Sequence, residues 1–354
     1  MFFKFPVDGD MLNAHDGETN ENRLYVRVHV MELPGSEIYI NRIKAAYING
    51  LYEAVVPLDG YRNTLKAYNA TSLESREIVV YWLKNATNKF RLSLDDNIWC
   101  LQDLAKNAHI YKSIFENPYF ALYKKAHDLY QAKVHMNIYY QCDGFDLTMM
   151  PEKFKGEFQA NSDWFHFAFH AKQNDPPRPY LNTTFDEILH DFDRIMEQVH
   201  RFAGQEIQPV TTVHWGECTR EGVRALRARG LRCLMGYFWT ERNIPTVSYY
   251  LDLGQTLNLA GRNFWKDNRE DIVFGRIANV LNTGPLKDII PQLEREKEDP
   301  QKNGFMELMI HEQYFYPKYE SYLPDYEDRV LSSVKWAVEN GYRPAWVSDC
   351  VFER

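Results

Sequence analysis

The feature that most constrains this chain is a change of rhythm near Asn88. Before it, apolar residues recur at every second position. Leu24, Val26, Val28 and Val30 alternate with Tyr25, Arg27 and His29, the period of a half-buried strand. Asn49-Gly50 stands between two strand-like runs, a strong hairpin signal. Tyr52, Ala54, Val56 and Leu58 alternate up to a turn at Asp59-Gly60, and Ile78–Leu83 is a nearly continuous β-favouring run. Short strands with a turn every ~10 residues predict a small Ig-like β-sandwich domain, placed at residues 1–88. This stretch shows no catalytic constellation.

After Asn88, strands alternate with helices. Strand-like runs occur at Phe90–Leu94, Val134–Tyr140, Trp164–Phe169, Pro209–Val213, Leu231–Met235, Ile272–Val280 and Met306–Ile310, with a last short one at Ala345–Val347. Between them, Asn117-Pro118 opens a helix, with proline where its missing N–H costs nothing. Thr184 and Glu187 form a capping box. Phe185, Ile188, Phe192, Ile195, Val199 and Phe202 then keep helical spacing up to Gly204. Such alternation over about 260 residues predicts an α/β architecture, a (β/α) barrel with active residues at the C-terminal strand ends. The barrel, distorted and TIM-like, is placed at residues 89–354; seven strands is one count the pattern allows.

Charge narrows the function. The net charge is −8 over 354 residues, so there is no electrostatic footprint for nucleic acid. No apolar run reaches the ~18–20 residues of a transmembrane segment. The five cysteines are scattered without a CxxC, the pattern of reduced thiols. The apolar run at the N-terminus is too short for a signal peptide, so a cytoplasmic location is expected, a removed leader aside.

Two features at strand ends carry chemistry. The first is Asp95-Asp96. Where a strand ends and the chain turns, both carboxylates can reach one cleft, one binding a metal while the other serves as a base. The second is His166 and His170, spaced i, i+4 at the end of a strand. Fully extended they would lie ~13 Å apart, so sharing an ion requires a bend. Together one carboxylate and two imidazoles leave open positions for water and substrate, as a hydrolytic metal site needs.

In these residues the sequence resembles the polysaccharide deacetylase family (NodB-type, carbohydrate esterase family 4). Ser93-Leu94-Asp95-Asp96-Asn97 is similar to the family's T-F-D-D-G, His166–His170 to its H-[ST]-x-x-H, and Met309-Ile310-His311 to its late L-x-H. The resemblance covers roughly Lys89–Arg354. It implies Asp95 as catalytic base, Asp96, His166 and His170 as metal ligands, and His311 as general acid. Departures are Asn97 for glycine, Phe167 for Ser/Thr, and no R-x-P-[YW] after the fourth strand, where Val213-His214-Trp215-Gly216-Glu217 stands. Arg178-Pro179-Tyr180 looks like that motif but comes too early. The nearest stand-ins for its base-orienting arginine are His214 and Glu217. Cys142-Asp143-Gly144-Phe145 lacks the first carboxylate of a D-D-G-F, yet Asp143 is placed on the same rim. Trp215, Tyr314, Phe315 and Tyr316 follow strand ends and could stack on sugar.

The resemblance implies a metal-dependent hydrolase removing an acetyl or other acyl group from an N- or O-acylated sugar. The cofactor is one divalent cation; zinc suits the ligands, and cobalt, nickel or iron also fit. His214, Trp215, Glu217, Asp143 and Tyr314 are the expected substrate contacts. Two alternatives stay open: a non-catalytic carbohydrate-binding protein on the same barrel, and a metal-free glycoside hydrolase pairing Asp95 with Glu217 across ~5–9.5 Å.

Overall fold

The computed structural model describes residues 1–353, and the chain divides into two compact units. The first holds Met1–Thr87 together with Phe264–Val273 and the residues from Asp349. One five-stranded sheet runs Phe2–Phe5, Arg23–Met31, Leu51–Leu58, Ala46–Ile48, with Glu18–Asn20 also on Arg23–Met31. The other runs Met11–Leu12, Ser75–Trp82, Arg62–Asn69, Ile38–Ile40, Ile43–Lys44. The alternation seen in the sequence has its physical cause here. Leu24, Val26, Val28, Val30, Val56 and Leu58 from one sheet share an apolar cluster with Ile38, Leu65, Ala67 and Val80 from the other. At the Asn49-Gly50 turn both residues adopt positive φ, 48° and 88°, which a two-residue hairpin needs to match strand twist.

A boundary between residues 88 and 89 does not separate the later segments. Phe264–Val273 joins the first unit through both backbone and side-chain hydrogen bonds. The Lys266 N–H donates to the Gly9 carbonyl at 2.8 Å, the Trp265 indole donates to the Asp8 carbonyl at 2.8 Å, and the Tyr81 hydroxyl reaches Asn268 at 2.6 Å. Gly9 has φ +85°, and a Cβ there would stand 2.1 Å from the Lys266 oxygen. Only glycine permits that approach.

The second unit, Asn88–Asn263 with Phe274–Ser348, is α/β. Its main sheet runs Phe165–Ala171, Val134–Tyr139, Lys89–Asn97, Phe305–His311, Asn279–Val280, all neighbours parallel, with Arg343–Pro344 also on Lys89–Asn97. Val210–Thr211 pairs in parallel with Cys233–Gly236 in a separate sheet. A closed barrel is therefore not formed. Among the described residues no ladder joins Phe165–Ala171 to Val210–Thr211. The second of these strands is only two residues long, and the gap is bridged by other bonds: the Thr211 hydroxyl donates to the Phe169 carbonyl, and His170 Nδ1 to the Thr212 carbonyl. The last strand lies at Arg343–Pro344, not Ala345–Val347.

Helices join the strands where the sequence predicts them. Phe185–Ala203 begins with the Thr184–Glu187 capping box and ends at Gly204, with φ 63°. Its buried stripe is Ile188, Phe192, Ile195, Val199 and Phe202. None of the described helices is long and apolar enough to cross a membrane.

Alternate residues of the central strands carry polar groups at buried positions. Arg91 donates to Glu307 at 2.6 Å and Ser93 donates to the same carboxylate at 2.8 Å, with Arg91 and Glu307 each 1% exposed. Burial raises the Glu307 pKa to about 7, against the opposing pull of Arg91. A carboxyl whose folded pKa lies above its unfolded value binds more protons in the native state over that interval. Stability should therefore fall as pH rises from about 4.5 to about 7, by up to ~3 kcal/mol from this group. Denaturant unfolding measured across that range checks this: Glu307→Gln is expected to flatten the slope, and an unchanged slope contradicts it.

Candidate metal centre

Three strand ends converge on one buried point. The strand Lys89–Asn97 delivers Asp95 and Asp96, 1% and 8% exposed. Its ladder with Val134–Tyr139 slips between Leu94 and Asn97, and Asp96 adopts φ 65°. Aspartate is among the few residues that tolerate this left-handed conformation. The kink lets adjacent carboxylates, which a regular strand would send to opposite faces, line one cleft.

The strand Phe165–Ala171 brings His170, and the turn His214–Gly216 that follows Val210–Thr211 brings His214. His170 Nε2 lies 2.9 Å from Asp96 Oδ1, His214 Nδ1 lies 3.3 Å from the same oxygen, and the two ring nitrogens are 3.1 Å apart. Ligating atoms of Asp96, His170 and His214 all lie within 4.8 Å of one another, and all three residues are buried. The His170 Nδ1–H donates to the Thr212 carbonyl at 2.5 Å. That bond fixes the tautomer and leaves the Nε2 lone pair facing the cluster, as metal-binding histidines are held. One carboxylate and two imidazole nitrogens this close together fit a divalent cation.

The electrostatics agree. Burial works to raise the Asp96 pKa, but the bonds from His170 and His214 and the charge of His311 outweigh it and hold this carboxyl well below its ordinary value. The Tyr139 hydroxyl donates to Asp96 Oδ1 at 2.5 Å. Burial first, then the charge of Asp96, keep that phenol well above its usual range, so it remains a donor.

His166, expected as a ligand, is not in the cluster. Phe165–Ala171 stays extended, so the bend that sharing an ion requires does not occur. His166 pairs in register with His135 and stacks on Trp346 at 4.0 Å with 13° between the rings. His214, expected as a substrate contact, stands among the ligating atoms instead.

Asp95 accepts a 2.6 Å bond from Asn137 Nδ2. Asn137 is itself fixed, its Oδ1 accepting from the Thr211 hydroxyl and the Thr212 N–H, each at 3.2 Å. Neither His214 nor Glu217 is the group bonded to Asp95; Asn137 is. Glu217 is held instead by the Arg178 guanidinium, which also reaches the Thr246 carbonyl. This is a correction: Glu217 does not line the cleft, and its carboxylate is engaged by the arginine. Across the ladder Asp95 stands opposite His311, whose Nδ1 and backbone N both meet Asn282 Oδ1, at 2.9 and 3.1 Å. The Nδ1–H of His311 thereby donates to Asn282, which leaves Nε2 free of this bond. Glu312, next in sequence, caps a helix by accepting from the N–H groups of Ile98, Trp99 and Cys100.

Asp95, Asp96, His170, His214 and His311 line a cleft of about 290 Å³, together with Trp215, Tyr237, Trp239 and Tyr314. Trp215 has φ 66° and is 42% exposed, an outlier for so bulky a residue and a strain typical of ligand-contacting sites. Asp143 lies instead in an adjoining cavity of about 610 Å³, which shares Asp96 and Asn174 with the first. Asn137 and Tyr139 escaped the sequence reading. Their signal was the strand Val134–Tyr139, where His135, Asn137 and Tyr139 alternate with Val134, Met136 and Ile138 although every position is buried. Polar residues at period two in a wholly buried strand mark a polar interior.

No protein-family model matches the chain, and no curated protein matches it. Among solved structures it is similar to a CE4 family pseudoenzyme from Bacillus anthracis, at 10% identity over 79% of this chain and 75% of that chain, with a TM-score of 0.40. It is similar to a peptidoglycan N-acetylglucosamine deacetylase at 9% identity over 76% and 90%, TM-score 0.41. It is also similar to a 4-alpha-glucanotransferase from Thermococcus litoralis at 11% identity over 74% and 39%, TM-score 0.47. At these scores the likenesses leave the functional reading to the geometry of the cluster itself.

Proposed function

We propose that the second unit is a metal-dependent hydrolase that removes an acyl group from an N- or O-acylated sugar. The observation that carries this reading is the buried Asp96–His170–His214 cluster with Asp95 and His311 beside it in one cleft. A divalent cation held by those three residues, with zinc the best match, supplies Lewis-acid polarisation of the acyl carbonyl and a water acidified toward pH ~7. Asp95, oriented by Asn137, takes the proton of the attacking water. His311, its Nδ1 proton held by Asn282, carries a proton on Nε2 to the departing amine or alcohol. Trp215 and Tyr314 offer aromatic faces to the sugar ring. Among the described residues lining this cleft the carboxylates are Asp95 and Asp96 alone, adjacent in the chain and on the same wall. A two-carboxylate glycoside hydrolysis, which needs its pair across the bond, is therefore disfavoured.

The test has two arms. Protein purified without metal-chelate columns is analysed for bound metals, and then screened for acetate release from acetylated oligosaccharides. Expected is about one divalent ion per chain and acetate release abolished by chelator and restored by added metal. Acetate release that survives complete metal removal contradicts the proposal, as does the absence of release from every acylated sugar by metal-replete protein.

A further inference from the structure

The first unit carries a groove that the hydrolase reading leaves unused. It holds about 720 Å³ and is lined by Tyr39, Asn41, Arg42, Thr64, Lys66 and Tyr68. All six sit on the outward face or turn of one sheet. Leu65 and Ala67 point into the core while Thr64, Lys66 and Tyr68 point out. Tyr39 lies between buried Ile38 and Ile40 and directly opposite Tyr68 in the ladder. Among the described residues no ring contact joins these two tyrosines, so the space between and around them is open.

The turn at one end has two residues of positive φ and no glycine, as do Glu21-Asn22 and Arg242-Asn243. Ile40 pairs with Ile43 across a two-residue hairpin whose central residues, Asn41 and Arg42, have φ 46° and 69°. Asn41 suits that conformation, and it is bolted to the next strand: its side chain donates to the Thr64 carbonyl at 3.2 Å and accepts from the Lys66 N–H at 2.7 Å. Arg42 does not suit it. Glycine is the residue such turns select at that position, and a left-handed arginine is strained there. Strain of this kind persists where the side chain has a use. Among the described residues the Arg42 guanidinium has no hydrogen bond or ion pair, and it lines the groove.

The lining has two cations, two phenols, an amide and a hydroxyl, with no carboxylate and no aliphatic side chain, on a chain whose net charge is −8. Among the described residues the Lys66 ammonium is engaged by Glu77 alone, at 2.8 Å, with both side chains 53% exposed; such a surface pair is worth little and exchanges readily. Cations, an amide and a hydroxyl among the rings suit a polar ligand better than an apolar peptide. A sugar polymer has flat faces for the phenol rings and hydroxyls for Asn41 and Thr64, and a carboxylate on it would meet the guanidinium fork. We propose that this groove is a binding site for an acidic glycan chain, with Tyr39 and Tyr68 stacking on the sugars and Arg42 with Lys66 pairing their carboxylates. This proposal stands apart from the hydrolase reading, since none of its residues belongs to the metal centre.

The experiment is calorimetric titration of the full chain with hyaluronan hexasaccharide, which alternates uronate and N-acetylglucosamine, and with chitohexaose, its neutral counterpart. The acidic hexasaccharide is expected to bind at least about fivefold more tightly than the neutral one, and to weaken in 0.5 M salt. Tyr39→Ala/Tyr68→Ala is expected to abolish that binding. Arg42→Gly is expected to weaken it about fivefold or more while raising the unfolding midpoint, because glycine relieves the turn. That pair of opposite changes separates a ligand contact from a structural residue. Equal binding of both sugars, binding of the acidic sugar unaltered in both variants, or no binding at millimolar concentration each overturns the proposal.

Discussion

Replacing Asp96 by alanine is expected to remove the metal and the activity together. Asp96 Oδ1 is the atom on which both imidazoles and the Tyr139 hydroxyl converge, at 2.9, 3.3 and 2.5 Å. Without it two nitrogen donors remain, too few to hold a hydrolytic ion against water. Metal content should fall from about one ion per chain to background, and acyl hydrolysis by on the order of 10³-fold or more. Asp96 has φ 65°, so alanine adds strain to the loss of charge. Asp96→Gly tolerates that conformation and should give the same result in a protein with a normal melting curve. Retention of metal in both variants would remove Asp96 from the ligand set.

Asp95→Asn should behave in the opposite way. Asp95 is outside the trio of ligating atoms and is held by Asn137 at 2.6 Å. Metal content should stay at about one ion per chain while turnover drops by roughly 10²–10⁴, the usual worth of a positioned acid or base. His311→Ala should resemble it, with one difference. An amine or alkoxide must be protonated as it leaves, whereas a nitrophenolate need not be, so the His311 variant should lose least on a nitrophenyl ester. Undiminished turnover in Asp95→Asn would remove the base assignment and leave the metal centre standing.

That Asp95 and Asp96 both line one cleft was legible in the sequence, because an Asp-Asp pair closing a strand places both at one rim. His170 was legible for the same reason. His166 was not a ligand because a strand of seven residues, Phe165–Ala171, advances ~3.3 Å per residue. The two histidines of H-x-x-x-H are then separated by four steps, and nothing in Phe167-Ala168-Phe169 bends the chain. The third donor comes from the next strand end, His214, whose position was visible in the sequence but whose role depends on a tertiary approach of two strands that share no ladder. The period-two strands of the first unit could be read from Leu24–Val30 because one face of each is dry. Its late segment Phe264–Val273 could not, because what ties it in is the Lys266 N–H on the Gly9 carbonyl and the Trp265 indole on the Asp8 carbonyl, single bonds that leave no periodicity in the sequence. The closed barrel expected from the strand–helix alternation does not form: Val210–Thr211 has two residues, and among the described residues it pairs with Cys233–Gly236 and not with Phe165–Ala171.

The most direct test of the central claim is a metal-binding titration of His166→Ala and His214→Ala beside the unaltered protein, with cobalt as a visible probe. His214→Ala is expected to lose on the order of 10²-fold or more in affinity, more than a supporting residue around a metal usually costs, and to alter the absorption bands of a nitrogen-ligated ion. His166→Ala should bind as the unaltered chain does, with its cost confined to stability through the lost stacking on Trp346. Loss of metal in His166→Ala with binding intact in His214→Ala would contradict the assignment of the centre to Asp96, His170 and His214.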